Sequence, residues 1–148
     1  MTPLASLVRA PIDPLEMIHA VSNPANGAVL IFLGAVRQVN EGRAVTGIDY
    51  AAYEAMAQRE LEAIVGEASS RFGTSDVAVQ HRLGELGVEE VSVAIAVGHA
   101  HRDAAYAASR FVIEELKRRV PIWKREHYAD GTREWVDPTG RTSAGAPA

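Results

Sequence analysis

The stretch that most restricts the fold is Gly27 to Arg37, GAVLIFLGAVR, an almost unbroken apolar run rich in β-forming residues that ends on a lone charge. A run of this kind, with Asn23-Pro24 before it and polar residues after it, is the pattern of a strand covered on both faces rather than one with a wet side. It therefore predicts a central strand in a layered domain. Gly34 inside the run marks either a bulge, a close backbone approach or a packing glycine. With 148 residues the chain is long enough for one domain with its own core, here expected as an ordered part over about 10–137 and a flexible tail over 138–148.

The remaining elements follow from punctuation and period. Asp13-Pro14-Leu15-Glu16 supplies an N-cap, a proline at the first helical position and an acid three residues on, which predicts a short helix to about Ser22. Gln38 to Thr46 is polar and predicts a mobile loop, long enough to act as a lid. A second strand over Val45–Tyr53 leads into a helix from Glu54 to Phe72, where Ala57, Leu61, Ile64, Val65, Ala68 and Phe72 recur at helical spacing. Val77, Val79, His81 and Leu83, then Val91, Val93, Ile95 and Val97, alternate along two strands expected to be half-buried. A second amphipathic helix spans Asp103 to Arg119, and Ala129-Asp130-Gly131-Thr132 between Ile122–Tyr128 and Arg133–Val136 predicts a hairpin. The order indicates an α+β or mixed α/β domain, with two main helices packed on a sheet and a C-terminal β-hairpin.

Charge narrows the function. The chain is net −4 with a pI near 5.7, which argues against wholesale binding to nucleic acid or an anionic membrane but leaves room for a local basic pocket. It has no cysteine, so no thiolate nucleophile and no Cys-ligated metal; with neither a secretory leader nor a membrane-length apolar run, a cytoplasmic location is expected. Positive charge gathers at Leu116 to Glu126, LKRRVPIWKRE. A helix C-terminus accounts for Lys117, Arg118 and Arg119 through the macrodipole, but not for Lys124 and Arg125 beyond Pro121. Three basic groups stand at element ends: Arg37, His101 with Arg102 at a strand-to-helix junction, and Lys117 with Lys124 around the proline. Such ends suit a phosphate or carboxylate, although Arg102 serves equally well in a surface salt bridge. Lys117 is either a helix cap or an active amine, and Trp123 a core residue, a ring packed on the Arg125 guanidinium or a flat wall for an aromatic ligand. His99 and His101 share a strand face but lack a third metal ligand, His81 reads as a core histidine, and no phosphate-loop, dinucleotide or serine-elbow signature occurs.

Together FLGAVR (Phe32–Arg37), HRLGEL (His81–Leu86), AHR (Ala100–Arg102) and LKRRVPIWKRE with a following EWV resemble the large, catalytic subunit of molybdopterin synthase. The resemblance spans Gly27 to Val136. It implies a hammerhead-like fold and a sulfur transferase of molybdenum-cofactor biosynthesis that converts cyclic pyranopterin monophosphate to molybdopterin. It also implies a small ubiquitin-like partner, whose C-terminal Gly-Gly thiocarboxylate donates the sulfur, and a dimer of large subunits within a heterotetramer. No cofactor and no metal are implied. By the same resemblance Arg37, His101 and Arg102, with Lys117 and Lys124, bind substrate, and the two lysines are catalytic. Ala51 stands where many relatives carry an acidic residue. A non-catalytic module for a phosphorylated metabolite, or a His-dependent metal hydrolase, are the competing readings.

Overall fold

The computed structural model describes residues 4–136; the tail expected over 138–148 lies outside them. The chain runs β1 (Ala5–Val8), α1 (Pro14–Val21), β2 (Ala28–Ala35), β3 (Val39–Asn40), β4 (Arg43–Ala52), α2 (Glu54–Phe72), β5 (Val77–Arg82), β6 (Gly84–Gly87), β7 (Val91–His99), α3 (Arg102–Arg119), β8 (Ile122–Tyr128) and β9 (Arg133–Val136). One sheet has the order β1-β5-β7-β2, with β1 parallel to β5 and the other pairs antiparallel; the second has the order β3-β4-β8-β9, with β6 also paired to β4.

The helices lie where their caps and stripes predict. The Asp13 side chain accepts from Leu15 N–H at the start of α1, and α2 stops at Gly73, whose φ of 68° is open to glycine without strain. Ala57, Leu61, Ile64, Val65 and Ala68 of α2 are buried with Ala105, Ala108, Val112 and Leu116 of α3 in one cluster. Arg119 locks the two helices together, its guanidinium reaching Glu60, Glu67 and Glu115.

The central strand is not the one the apolar run predicts. β2 is an edge strand, with Val29 45%, Phe32 38% and Leu33 39% exposed. β7, expected to be half-buried, is instead covered on both sides: Val93, Ile95 and Val97 face the main helices, and Ala94 and Ala96 face Met17 and Val21 of α1. The reason is size. The residues of β7 that break its apolar alternation are Ser92, Ala94, Ala96 and Gly98, small enough for α1 to lie directly on them, and a Cβ on Gly98 would run into the Val21 carbonyl and the Asn26 amide. Within β2 the register shifts between Gly34 and Ala35, so the glycine does sit at an irregularity, where a Cβ would stand 2.6 Å from Val93 Cγ1.

The 38–46 segment is also not a free loop. It folds as the β3–β4 hairpin, turning through Glu41 and Gly42 at φ 50° and 78°, and Val45 N–H donates to Gln38 O at 2.8 Å. The two short strands β1 and β6 carry no sequence signal of their own. β1 lies along β5, and β6 turns the 84–90 connection into a ladder against Gly47–Tyr50.

Candidate active site

The end of α3 and the start of β8 build the site. α3 ends at Arg119 and Val120 takes the extended conformation (φ −81°, ψ 125°) that a following proline favours. Ile122 then enters β8 beside β4. The turn at Pro121 brings Lys117 from the last helical turn and Lys124 from the strand to one cavity of about 200 Å³, lined also by Arg37, Asn40, Tyr50, Ser92 and Glu126. These are the only lysines in the chain. Both lysines of a chain with thirteen arginines thus line one cavity.

The two lysines have different surroundings. Lys124 Nζ lies 3.1 Å from Glu126 Oε1, and Glu126 is only 1% exposed. Burial alone would raise the pKa of that carboxyl. Hydrogen bonds from Asn40 (2.8 and 2.9 Å) and Tyr128 Oη (2.7 Å), with the Lys124 ammonium, outweigh burial and hold it below the usual glutamate range. Tyr128, buried and donating to this anion, is pushed up to about 12. Lys117 has no carboxylate partner among the described residues. Its stem is exposed by surface area at the cavity rim, yet dense protein around its amine, then the charge of Lys124, lower its pKa below that of an ordinary lysine.

Of the neutral polar groups, Tyr50 and Ser92 line the cavity, and His81 packs behind Tyr50. Tyr50, whose phenol is raised by burial, has Ser92 as its hydrogen-bond partner and meets the His81 ring edge-on at 5.1 Å. His81 is fully buried, with Nδ1 2.9 Å from Arg82 O, and burial pushes its pKa down to about 4, so the ring is neutral at physiological pH. The core reading of His81 therefore matches its position.

Arg37 is at this cavity, with Nη2 donating to Asn40 Oδ1 at 3.3 Å. His101 and Arg102 are not. They start α3, fifteen residues before Lys117, roughly 22 Å along the helix axis at the standard rise. Within one chain the predicted Arg37–His101–Arg102 cluster does not form. Both His101 and Arg102 are exposed at the far end of β7, and Arg102 has no ion-pair partner among the described residues. His99 is occupied structurally: its Nδ1 accepts from His101 N–H at 2.9 Å, so its Nε2 donates to Phe72 O at 2.8 Å, leaving neither nitrogen for a metal. No group of three His, Cys, Asp or Glu suited to a metal occurs among the described residues.

The rest of LKRRVPIWKRE is structural. Arg118 pairs with Glu115, and Trp123 is 3% exposed with its ring edge-on to Tyr53 at 4.9 Å. Arg125 turns to the opposite face of β8, where Asp49 accepts from it at 2.7 Å and Trp135 stacks at 5.2 Å. Asn40 and Glu126 are absent from the sequence-predicted set. The strand period held the signal for Glu126, because in β8 Lys124, Glu126 and Tyr128 share one face while Trp123, Arg125 and His127 share the other.

A family model described as MoaE protein matches residues 7–119. The chain is 51% identical over 128 residues to the molybdopterin synthase catalytic subunit of Synechococcus elongatus, an alignment covering 86% of this chain and 78% of that protein. Among solved structures it superposes on molybdopterin synthase from Staphylococcus aureus with a TM-score of 0.86 and 32% identity, covering 92% of this chain and 98% of that one. It also shares the fold of a chain in the complex of subunits 1 and 2 of the molybdopterin-converting factor from Helicobacter pylori (TM-score 0.70, 21% identity, 99% and 100% covered).

Proposed function

We infer the function from one premise: this chain belongs to the MoaE protein family. It is a transferase of molybdenum-cofactor biosynthesis that inserts sulfur into cyclic pyranopterin monophosphate to give molybdopterin. The sulfur comes from the C-terminal thiocarboxylate of a small ubiquitin-like subunit, the kind of two-subunit complex named for the Helicobacter pylori protein. The absence of cysteine fits a subunit that supplies pocket and acid–base groups while another chain brings the sulfur. The observation that carries the reading is the gathering of the chain's only lysines with Arg37 in one cavity.

In this reading Lys117 and Lys124 are the catalytic pair. Lys124, paired with Glu126, holds anionic oxygens of the substrate or protonates a departing one. Lys117, without a counter-ion and with a lowered pKa, more readily gives up its proton and meets the thiocarboxylate or the carbon under attack. Arg37 takes the phosphate. His101 and Arg102 belong to the same substrate site, supplied by a second copy. Two β2 edges paired antiparallel about a two-fold axis would put the Ala35 end of one beside the Ala28 end of the other. Ala28 is the register partner of His99, so Arg37 of one copy would come near His101 and Arg102 of the other. The exposed Val29, Phe32 and Leu33 support that pairing, and a small subunit on each copy completes a heterotetramer. No helix among the described residues is long and apolar enough to cross a membrane, and we place the enzyme in the cytoplasm.

The test is reconstitution with thiocarboxylated carrier and pterin. Lys117→Ala and Lys124→Ala should each lower product formation by about 10²-fold or more with folding unchanged, a loss typical of a missing acid–base group. Normal turnover in both variants, or tight pterin binding without sulfur transfer by the native chain, would favour a non-catalytic metabolite-binding module.

A further inference from the structure

We propose that Asn40 is a positioning residue for Lys124, its single amide joining the substrate-binding Arg37 to the buried carboxylate that aims the catalytic amine. The inference rests on the function given above for the cavity. Asn40 Oδ1 accepts from Arg37 Nη2 at 3.3 Å, and Asn40 Nδ2 spans the Glu126 carboxylate, 2.8 Å from Oε1 and 2.9 Å from Oε2. Tyr128 Oη then takes Oε2 at 2.7 Å and Lys124 Nζ takes Oε1 at 3.1 Å. Three donors make four contacts with the two carboxylate oxygens, so Glu126 has no second orientation that keeps its partners.

The residue type follows from the neighbours. Arg37 can only donate and ionised Glu126 can only accept, so the bridge needs an acceptor and a donor on one short side chain without net charge, which is a carboxamide. The same partners fix which way the amide faces. Asp at this position would set carboxylate against carboxylate; Ala would leave a buried anion short of a donor and free Lys124 to swing. Asn40 also closes the β3–β4 hairpin opposite Arg43, so the hairpin fixes the side chain over the cavity. Around Glu126 the ionisable groups include Lys124 and Tyr128 on β8, Tyr50 on β4, Arg43 on β4 over the Tyr128 ring, Arg37 and, across the cavity on α3, Lys117 at the cavity wall, and Glu134 on β9, 3.5 Å from Tyr128 Oη.

Asn40→Ala and Asn40→Asp separate this role from a scaffold role, because Asp keeps an acceptor for Arg37 and loses the donor to Glu126. Both variants should lower kcat/KM by roughly 10- to 100-fold, a range set by the loss of positioning. In Asn40→Asp the acid limb of the pH profile should move up by about a unit as the two carboxylates share a proton. With 13Cε-lysine the chain gives two side-chain resonances, and that of Lys124 should change its chemical shift in both variants at fixed pH with no substrate present. A merely structural residue would lower Tm and leave the acid limb and the Lys124 resonance where they are. Wild-type rate and acid limb in Asn40→Asp, or an unmoved Lys124 resonance in either folded variant, would overturn the proposal. If the native chain transfers no sulfur, the function assigned to the cavity fails, and the Lys124 resonance still decides the positioning claim by itself. Should Asn40→Ala not fold, Asn40→Asp carries the same readouts.

Discussion

His81 is a residue whose chemistry shows in stability rather than turnover. Its ring is neutral in the fold, with a pKa pushed from 6.5 to about 4 by burial. The unfolded chain takes up a proton on this ring first, so its contribution to stability is complete above about pH 6.5 and is lost as pH falls toward 4. That loss reaches roughly 3 kcal/mol below the lower value. Glu126 and Asp49 have lowered pKa values, so what they contribute disappears only as pH falls below their ordinary 4.5 and 3.8. The window from 6.5 to 4.5 therefore belongs to the histidine. In urea titrations across it, native stability should decline with acid while His81→Gln stays flat; parallel slopes would refute the assignment. At this scale the sequence was legible where a residue's role follows from local pattern. The core position of His81 is of that sort, and so is the convergence of two lysines bracketing a proline on one cavity. Asn40 was not, because its meaning comes from Glu126, 86 residues away.

At the scale of elements, helix bounds were readable to within a residue and the C-terminal hairpin was read as it stands, since caps, period and Asp-Gly chemistry act locally. Strand rank was not. The apolar content of β2 and the alternation of β7 suggested the reverse of their places. What decides the centre of the sheet is how closely α1 can approach β7, a property of Ala94, Ala96 and Gly98 that hydrophobicity does not record. Gly98→Ala tests this directly. Its methyl would meet backbone at Val21 and the Asn26 side chain, which Asp76 and the Val21 carbonyl hold in place, so the strand or α1 has to move. The expected destabilisation is about 3 kcal/mol, the upper end for overpacking, measured as a lower denaturation midpoint at unchanged slope. A change under about 0.5 kcal/mol, the level of an ordinary surface substitution, would mean that α1 sits less tightly than described.

For the whole molecule, the separation of His101 and Arg102 from Lys117 turns a question of residue roles into one of assembly. If those residues act across two copies, a Lys117→Ala chain and a His101→Ala/Arg102→Ala chain, each inactive, form mixed dimers with one intact site and one doubly damaged site. Random exchange of subunits should restore about a quarter of wild-type activity, half the dimers being mixed and half their sites intact. No recovery after exchange, shown to have occurred by mass, would place the whole site within a single chain. The sequence motifs single out these groups as candidates, but a linear pattern does not say which copy of a helix end faces which cavity.

The hairpin that replaces the expected mobile loop has a kinetic consequence. A rim held by a backbone ladder and by Asn40 on Glu126 has no door of its own. Under the function proposed above, the carrier's tail would be the stopper that keeps water from the reacting centre, and in a cavity of about 200 Å³ a seated tail would stand in the way of an entering pterin. Turnover should accordingly follow a compulsory order, pterin before donor, with excess carrier competing against pterin for entry in steady-state assays. A random-order rate law would mean that some part of the rim opens after all.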